Sequence, residues 1–123
     1  MKKNKGETEK LTEAILEGIQ NLKGKDITLI DLESIHHTEC GAFIICHGTS
    51  STHADSIAHS VEETVKKTTG EDVWHRDGYR NAIWILLDYG DVMVHVFQKE
   101  AREFYNLEGL WADAKRKKIE EAV

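Results

Sequence analysis

The fold is decided by the segment WILLDYGDVMVHVF, residues 84–97, which contains two runs of alternating side chains around a short turn. In the first run, Trp84, Leu86 and Asp88 share one face, and branched apolar side chains share the other. In the second run, three valines alternate with larger side chains. A period of two is typical of strands, so the segment predicts a hairpin. We expect strands at Ala82–Asp88 and Asp91–Phe97, joined by a turn at Tyr89-Gly90.

The sequence around this hairpin predicts further helices and strands. Apolar residues at helical spacing predict a helix at about 7–22 and another at about 52–68. We expect the first helix to end at Lys23-Gly24. We expect the second helix to be capped by Ser50 or Ser51 and to end at Gly70. The pattern also predicts strands at residues 27–32, 40–47 and 73–76. It predicts short helices at residues 101–105 and 107–114. The run CGAFIICH at 40–47 is apolar on both faces, which places it in the middle of a sheet.

These elements predict one domain of the α/β (α+β) class over residues 1–123. The order is helix, strand, strand, helix, three strands and helix, with no proline, repeat or linker to divide it. A mixed five-stranded sheet flanked by helices accommodates this order. Residues 1–6 and 115–123 are polar or charged, and we expect them to be flexible.

The composition limits the class of partner and the compartment. The chain has 22 acidic and 16 basic residues, a formal net charge of −6, which argues against a primary nucleic-acid binder and favours a basic partner. No apolar run approaches the roughly 20 residues needed to cross a membrane. The charged start lacks the apolar stretch of a secretory signal, so a soluble, cytosolic protein is expected. Cys40 and Cys46 fall in one predicted strand, too far apart to bond, and free, mostly buried thiols are expected.

Metal binding and nucleophilic catalysis find little support in the residue spacing. The residues His36, His37, Cys40, Cys46 and His47 do not form the two ligand pairs that a zinc site uses. Cys46 and His47 are adjacent in a strand and point to opposite faces, so they cannot form a catalytic dyad. We therefore expect no metal, no cofactor and no enzymatic activity.

A nucleotide-binding role is the alternative from the enzyme class. The turn GTSS, residues 48–51, lies between a strand and a helix, where backbone N–H groups can bind phosphate. The Walker pattern is absent, and helix capping is the favoured interpretation of these residues. A nucleotidyltransferase also needs paired carboxylates, but only Asp55 follows soon after the turn. Asp88 and Asp91 bracket the hairpin turn, where aspartate is common for local reasons.

The hairpin also offers a candidate binding surface. Trp84, Leu86 and Tyr89 would form an exposed apolar patch edged by Asp88 and Asp91. Trp and Tyr are enriched at binding hot spots, and the acidic rim would favour a basic partner. The structural alternative is that Trp84 lies buried under a helix.

Three stretches closely resemble the RsfS/Iojap family of ribosomal silencing factors. They are DITLIDL at 26–32, FIICHGTSS at 43–51 and AIWILLDYGDVMVHVFQKEAREFYNLEGLW at 82–111. The resemblance runs from about Leu11 to Trp111. It implies a fold related to the nucleotidyltransferases without their catalytic carboxylates. Tyr89 departs from the family pattern, in which many members have leucine.

The resemblance also implies a function. Such a protein would bind the fourteenth protein of the large ribosomal subunit and block joining of the small subunit, repressing translation when nutrients run short. By position, the contact would include Trp84, Asp88, Tyr89 and Asp91. A role in large-subunit assembly would use the same surface and stays an open alternative. A homodimer is plausible, although nothing in the sequence identifies its interface, and no sequence-specific nucleic-acid contact is expected.

Overall fold

The computed structural model of the chain describes residues 4–33, 35 and 40–122. Within that part of the chain, the helices are α1 (Lys5–Asn21), α2 (Ser51–Thr69), α3 (Lys99–Tyr105) and α4 (Leu107–Leu110). The strands are β1 (Lys25–Asp31), β2 (Ala42–Gly48), β3 (His75–Asp77), β4 (Trp84–Asp88), β5 (Val92–Gln98) and β6 (Lys115–Lys118). Among the described helices, none is both long and apolar enough to cross a membrane.

The six described strands form one mixed sheet in the order β3-β4-β5-β2-β1-β6. β2 runs parallel to β5, and the other neighbouring strands are antiparallel. Ile44 and Ile45 are successive residues of β2, and both are fully buried, as expected of a strand covered on two faces. The predicted class, a single mixed α/β domain, is confirmed. The predicted count of five strands is wrong, because β6 adds a sixth.

The β4–β5 hairpin is confirmed, with its turn shifted by one residue. Trp84 pairs with Phe97 and Asp88 with Met93. The Tyr89 N–H donates to the Val92 carbonyl at 2.9 Å, which places Gly90 and Asp91 at the centre of the turn. Gly90 has φ of +89°, a backbone conformation that glycine adopts without strain. The tip therefore lies one residue later than the predicted Tyr89-Gly90 turn.

Helices α1 and α2 cover one face of the sheet and form the larger core. Their buried apolar residues are Leu11, Ala14, Ile15, Ile19, Ala54, Ile57, Ala58, Val61 and Val65. The two helices are in close contact at Gly18, where a Cβ atom would lie 2.7 Å from the Cα of Val61. Ser60 donates a hydrogen bond from Oγ to the Gly18 carbonyl at 2.8 Å. Only glycine leaves room for this approach.

The opposite face of the sheet carries a smaller core. Its buried residues are Ile30, Leu32, Phe43, Ile45, Phe97 and Ala114. The half-buried residues packed against them include Trp84 on β4, Ala101 on α3, Leu107 on α4 and Trp111. Short helices cover this face, whereas α1 and α2 are 17 and 19 residues long. The second face is consequently the less completely covered one.

The ends of α1 and α2 show which capping predictions were right. Ser50 caps α2 by accepting from the His53 N–H, and Gly70 ends it with φ of +78°, as predicted. α1 begins earlier than expected, because Asn4 and Glu7 form a reciprocal capping box. The prediction that residues 1–6 are flexible is therefore wrong for residues 4–6, while residues 1–3 lie outside the described part. Lys23, rather than Gly24, adopts the left-handed conformation after α1.

The C-terminal segment departs most from the prediction. Residues 115–123 were expected to be flexible, but Lys115–Lys118 pairs with β1 as an antiparallel edge strand. An edge strand is held by backbone hydrogen bonds. A segment of four charged residues can therefore form an edge strand without any apolar pattern. The helix predicted at 107–114 ends at Leu110.

We predict that Gly18→Ala destabilises the fold, because its methyl group would collide with the backbone of Val61. The free energy of unfolding should fall by about 1–3 kcal/mol, measured by urea denaturation. Gly6→Ala is the matched control in the same helix, where the new Cβ meets only Asn4 Oδ1 at 3.5 Å. The control should lose no stability, since alanine favours helix. Equal effects of the two substitutions would contradict the close helix contact.

Candidate functional site

The candidate site lies on the less covered face of the sheet. Ile85 and Leu87 of β4 belong to the core beneath α1 and α2, so Trp84, Leu86 and Asp88 lie on the opposite face. All three are partly exposed, between the buried and the fully exposed classes. The structure therefore places on one face three of the five residues that the sequence predicts for a partner contact, with Trp84 and Asp88 at opposite ends of β4.

Tyr89 is not part of this surface. Its side chain is fully buried and belongs to the core beneath α1 and α2. Burial raises the pKa of its phenol well above the ordinary value. The prediction of an exposed Tyr89 is wrong because the pleat alternation continues past the end of β4. Asp88 faces one side of the sheet, so the next residue faces the other.

Asp91 lies in the turn at the far end of the hairpin from Trp84. Its carboxylate accepts a hydrogen bond from Thr8 Oγ1 at 3.3 Å, and its carbonyl accepts from the N–H groups of Gly41 and Ala42. These bonds connect the turn to α1 and to the start of β2. Trp84 is four residues from the β4 end, about 13 Å away at the usual strand rise. Asp91 thus makes structural contacts in a different place.

Trp84 lies at one end of an aromatic band that crosses the face of the sheet. Its ring stacks on Phe97 with ring centres 4.8 Å apart and contacts Tyr105 at 5.0 Å. Its indole N–H donates to His95 Nδ1 at 3.1 Å. The band continues from His95 to Phe43 at 4.6 Å, and from Phe43 to Trp111 at 5.8 Å. We define the aromatic band as Phe43, Trp84, His95, Phe97, Tyr105 and Trp111.

The segment after β5 adds exposed apolar side chains next to the band. Phe104 is 81% exposed, Leu110 75% and Tyr105 49%. None of these residues was predicted as a site residue, although the sequence did show apolar residues in this segment. The contact of Tyr105 with Trp84 depends on how α3 folds back over the sheet, which no local pattern indicates. The structure therefore extends the candidate surface from β4 to α3 and α4.

Arg102 holds this segment against the sheet. Its buried guanidinium donates two hydrogen bonds to the Glu108 carboxylate, both at 3.0 Å. It also lies 2.9 Å from His47 Nδ1 and donates to Thr28 Oγ1 at 3.3 Å. The hydrogen bond from Arg102 lowers the pKa of Glu108, so the pair stays charged. Bidentate arginine–carboxylate pairs have a defined geometry, which makes α3 and α4 a rigid part of the surface.

The comparisons with known proteins decide the family. The model of the family described as "Ribosomal silencing factor during starvation" matches residues 5–123. The chain belongs to the ribosomal silencing factor family. The factor of Bacillus subtilis is 40% identical over 75% of this chain and 76% of its own length. The factor of Halalkalibacterium halodurans is 33% identical over 94% of this chain and 97% of its own length.

Solved structures agree with the family assignment and with the fold. A crystal structure from Chromobacterium violaceum superposes with a TM-score of 0.80 at 29% identity, covering 94% of each chain. Another from Bacillus halodurans gives a TM-score of 0.74 at 32% identity, covering 91% of this chain and 98% of that one. The resemblance to silencing factors that was based on sequence motifs is thereby confirmed.

The GTSS turn caps helix α2. Ser50 Oγ accepts from the His53 N–H at 3.0 Å, and the Thr49 N–H donates to His53 Nδ1 at 2.9 Å. His53 Nε2 in turn lies 2.7 Å from the Leu22 carbonyl, which connects this turn to the end of α1. Two N–H groups that could bind a phosphate are thus occupied within the chain. The Asp88 carboxylate accepts from the Gly90 N–H at 2.8 Å, a local turn contact.

The two cysteines lie in different parts of the fold. Cys46 is in the core, where burial raises the pKa of its thiol to about 12. Cys40 precedes β2 instead of lying within it, so the prediction that both share one strand is wrong. Neither cysteine forms a disulfide bond, and the Cys40 thiol donates to the Ala42 carbonyl at 3.0 Å. Among the described residues, no three His, Cys, Asp or Glu side chains come together as metal ligands, and His36 and His37 lie outside those residues.

His95 is the polar centre of the aromatic band. It is 5% exposed, and burial lowers its pKa to about 4. The ring is therefore neutral near pH 7 and accepts the Trp84 indole N–H on Nδ1. Nε2 then carries the ring proton and has no hydrogen-bond partner in the described part of the chain. A neutral His95 thus fixes the orientation of the Trp84 ring.

We predict that this histidine makes the fold sensitive to mild acid. Unfolding returns its pKa to about 6.5, so the unfolded chain binds more protons below that pH. The stability contributed by neutral His95 is complete above pH 6.5 and decreases as the pH falls toward 4. Between pH 6.5 and 4.5 the free energy of unfolding should fall by about 2 kcal/mol from this group. Urea titrations at several pH values measure the slope.

His95→Phe should remove most of that slope, while His75→Gln on the exposed strand β3 should leave it unchanged. His47, whose pKa is also lowered mainly by burial, contributes a remaining slope of the same sign. A full slope in the His95→Phe variant would contradict the assignment of the acid sensitivity to this ring.

Proposed function

We propose that this protein binds the fourteenth protein of the large ribosomal subunit and sterically prevents the small subunit from joining. Translation would be repressed in the cytoplasm when nutrients are limiting. The family description and the names of the relatives support a ribosomal role in starvation. The observation that carries the proposal is the exposed end of the aromatic band, where a rigid and partly exposed Trp84 contacts the exposed ring of Tyr105.

The physical character of the surface fits a protein partner. Trp84 is already held by Phe97 and His95, so binding would cost little side-chain entropy. Tyr105 supplies exposed ring surface beside it, and the exposed Phe104 ring in turn contacts Tyr105. A pre-organised tryptophan surrounded by partly exposed apolar side chains is typical of a binding hot spot.

Charge supports a basic partner. The chain carries a formal net charge of −6, and Asp88 lies on the same face as Trp84. Ribosomal proteins are commonly basic, so long-range attraction would increase the rate of encounter. A factor bound on the face where the subunits meet needs no catalytic group, because its volume alone excludes the small subunit.

Trp84→Ala should weaken binding to large subunits by about thirtyfold or more, the effect of losing a hot-spot side chain worth about 2 kcal/mol. Co-sedimentation with isolated large subunits measures the binding, and light scattering on adding small subunits measures joining. Trp74→Ala is the matched control, since Trp74 is 59% exposed and lies outside the aromatic band. A folded Trp84→Ala variant that still binds fully would refute the proposed surface.

Tyr89→Leu should leave subunit binding within about twofold of the unchanged protein, because Tyr89 is in the core. The same co-sedimentation assay tests this, with the folded state checked by circular dichroism. A selective loss of binding in a stably folded Tyr89→Leu variant would restore Tyr89 to the contact and contradict the structural assignment.

A further inference from the structure

The edge strand β6 concentrates positive charge in an otherwise acidic protein. Its four residues are Lys115, Arg116, Lys117 and Lys118, and all four are exposed. They are four of the 16 basic residues in the chain, so the remaining sequence has 12 basic residues against 22 acidic ones. We call these four residues the basic edge. The overall charge of the chain conceals this local reversal of sign.

The basic edge is held rigidly in place. β6 pairs with β1 over its whole length, from Asp31 opposite Lys115 to Thr28 opposite Lys118. The residues after it are also fixed: the Gln20 side chain donates to the Glu120 carbonyl at 2.8 Å, and the Ile119 N–H donates to the Ile27 carbonyl at 2.9 Å. The four cations therefore have defined positions on the last strand of the sheet.

The pleat divides the four cations into two pairs. Arg116 and Lys118 lie opposite Ile30 and Thr28, on the face that carries α3 and α4. Both have partners within the chain, Arg116 on the Glu108 carbonyl at 2.9 Å and Lys118 in an ion pair with Asp26.

The other pair, Lys115 and Lys117, lies on the face that carries α1 and α2, opposite Asp31 and Leu29. Neither forms an ion pair with another described residue. Two exposed ammonium groups are consequently available at fixed spacing. Side chains two residues apart on a strand lie about 7 Å from each other.

We propose that the basic edge binds the phosphate backbone of RNA in the large subunit, with Lys115 and Lys117 making the contacts. Lysine is a common ligand of backbone phosphates, and such contacts position a protein without reading sequence. The outer edge of β6 also has no neighbouring strand among the described residues, and backbone N–H groups can donate to phosphate oxygens. An acidic protein gains little from general attraction to RNA, so a local cluster would be required.

This inference rests on the proposed function, since the RNA is that of the bound subunit. It adds a second contact on the opposite edge of the sheet from β3 and β4. The aromatic band would bind the ribosomal protein, and the basic edge would bind neighbouring RNA. Two contacts across one rigid sheet would also define the orientation of the bound factor.

The test is the double substitution Lys115→Gln with Lys117→Gln, measured against large subunits over a range of salt concentrations. Affinity should fall by about three- to tenfold near 0.1 M salt, and the slope of log affinity against log salt should decrease by about one to two. Affinity for the isolated ribosomal protein, free of RNA, should not change. Lys115→Arg with Lys117→Arg should retain the original affinity.

The matched control is Lys10→Gln with Lys67→Gln, which removes the same charge from exposed positions on α1 and α2. An unchanged salt slope in the β6 double variant would overturn the proposal. In that case, new self-association of the variant in gel filtration would show that the lysines only protect the sheet edge. An equal loss of affinity for the large subunit and for the isolated ribosomal protein would also overturn the proposal, because the two lysines would then contact protein and not RNA.

The two proposals fail in different ways. If the unchanged protein does not bind large subunits, the proposed function is refuted and the RNA contact with it. If the unchanged protein binds and the β6 double variant behaves like the Lys10/Lys67 control, only the RNA contact is refuted.

Discussion

The parallel pairing of β2 with β5 is the constraint on which the rest of the structure depends. Parallel neighbours cannot be joined by a tight turn, so the chain must cross over between them. Here the crossover contains α2, β3 and β4, and α2 packs with α1 on one face of the sheet. The other face is left to the short helices α3 and α4. This asymmetry leaves Trp84 partly exposed and Tyr105 exposed on that face.

The open face is rigid although its covering helices are short. Arg102 joins α3 and α4 to the sheet through Glu108 and Thr28, in a position where it is 6% exposed. His95 performs a similar task for Trp84, and burial keeps it neutral so that it can accept the indole N–H. Both groups are buried and polar, and each derives its role from a specific hydrogen bond. This region of the chain therefore contains buried supporting groups as well as exposed side chains.

One edge of the sheet is locally basic although the chain as a whole is acidic. The chain as a whole is acidic, whereas β6 carries four cations on one edge of the sheet. Net charge argued against a primary nucleic-acid binder. The structure shows that charge must be read by position, because exposed side chains farther apart than about 10 Å are largely screened from one another in physiological salt.

The sequence by itself determined the hairpin, the central strand, both long helices and the caps at Ser50 and Gly70, because these depend on local periodicity and short-range sterics. It also located Trp84, Leu86 and Asp88 on one face. Only the tertiary structure decided three things: that α1 and α2 cover the face on which Tyr89 lies, that residues 115–118 form a strand, and that α3 brings Tyr105 to Trp84. Each of these depends on contacts between distant parts of the chain. Local sequence patterns do not indicate which strand will pair with a charged segment such as β6. Nor do they indicate that a buried arginine will hold α3 against the sheet.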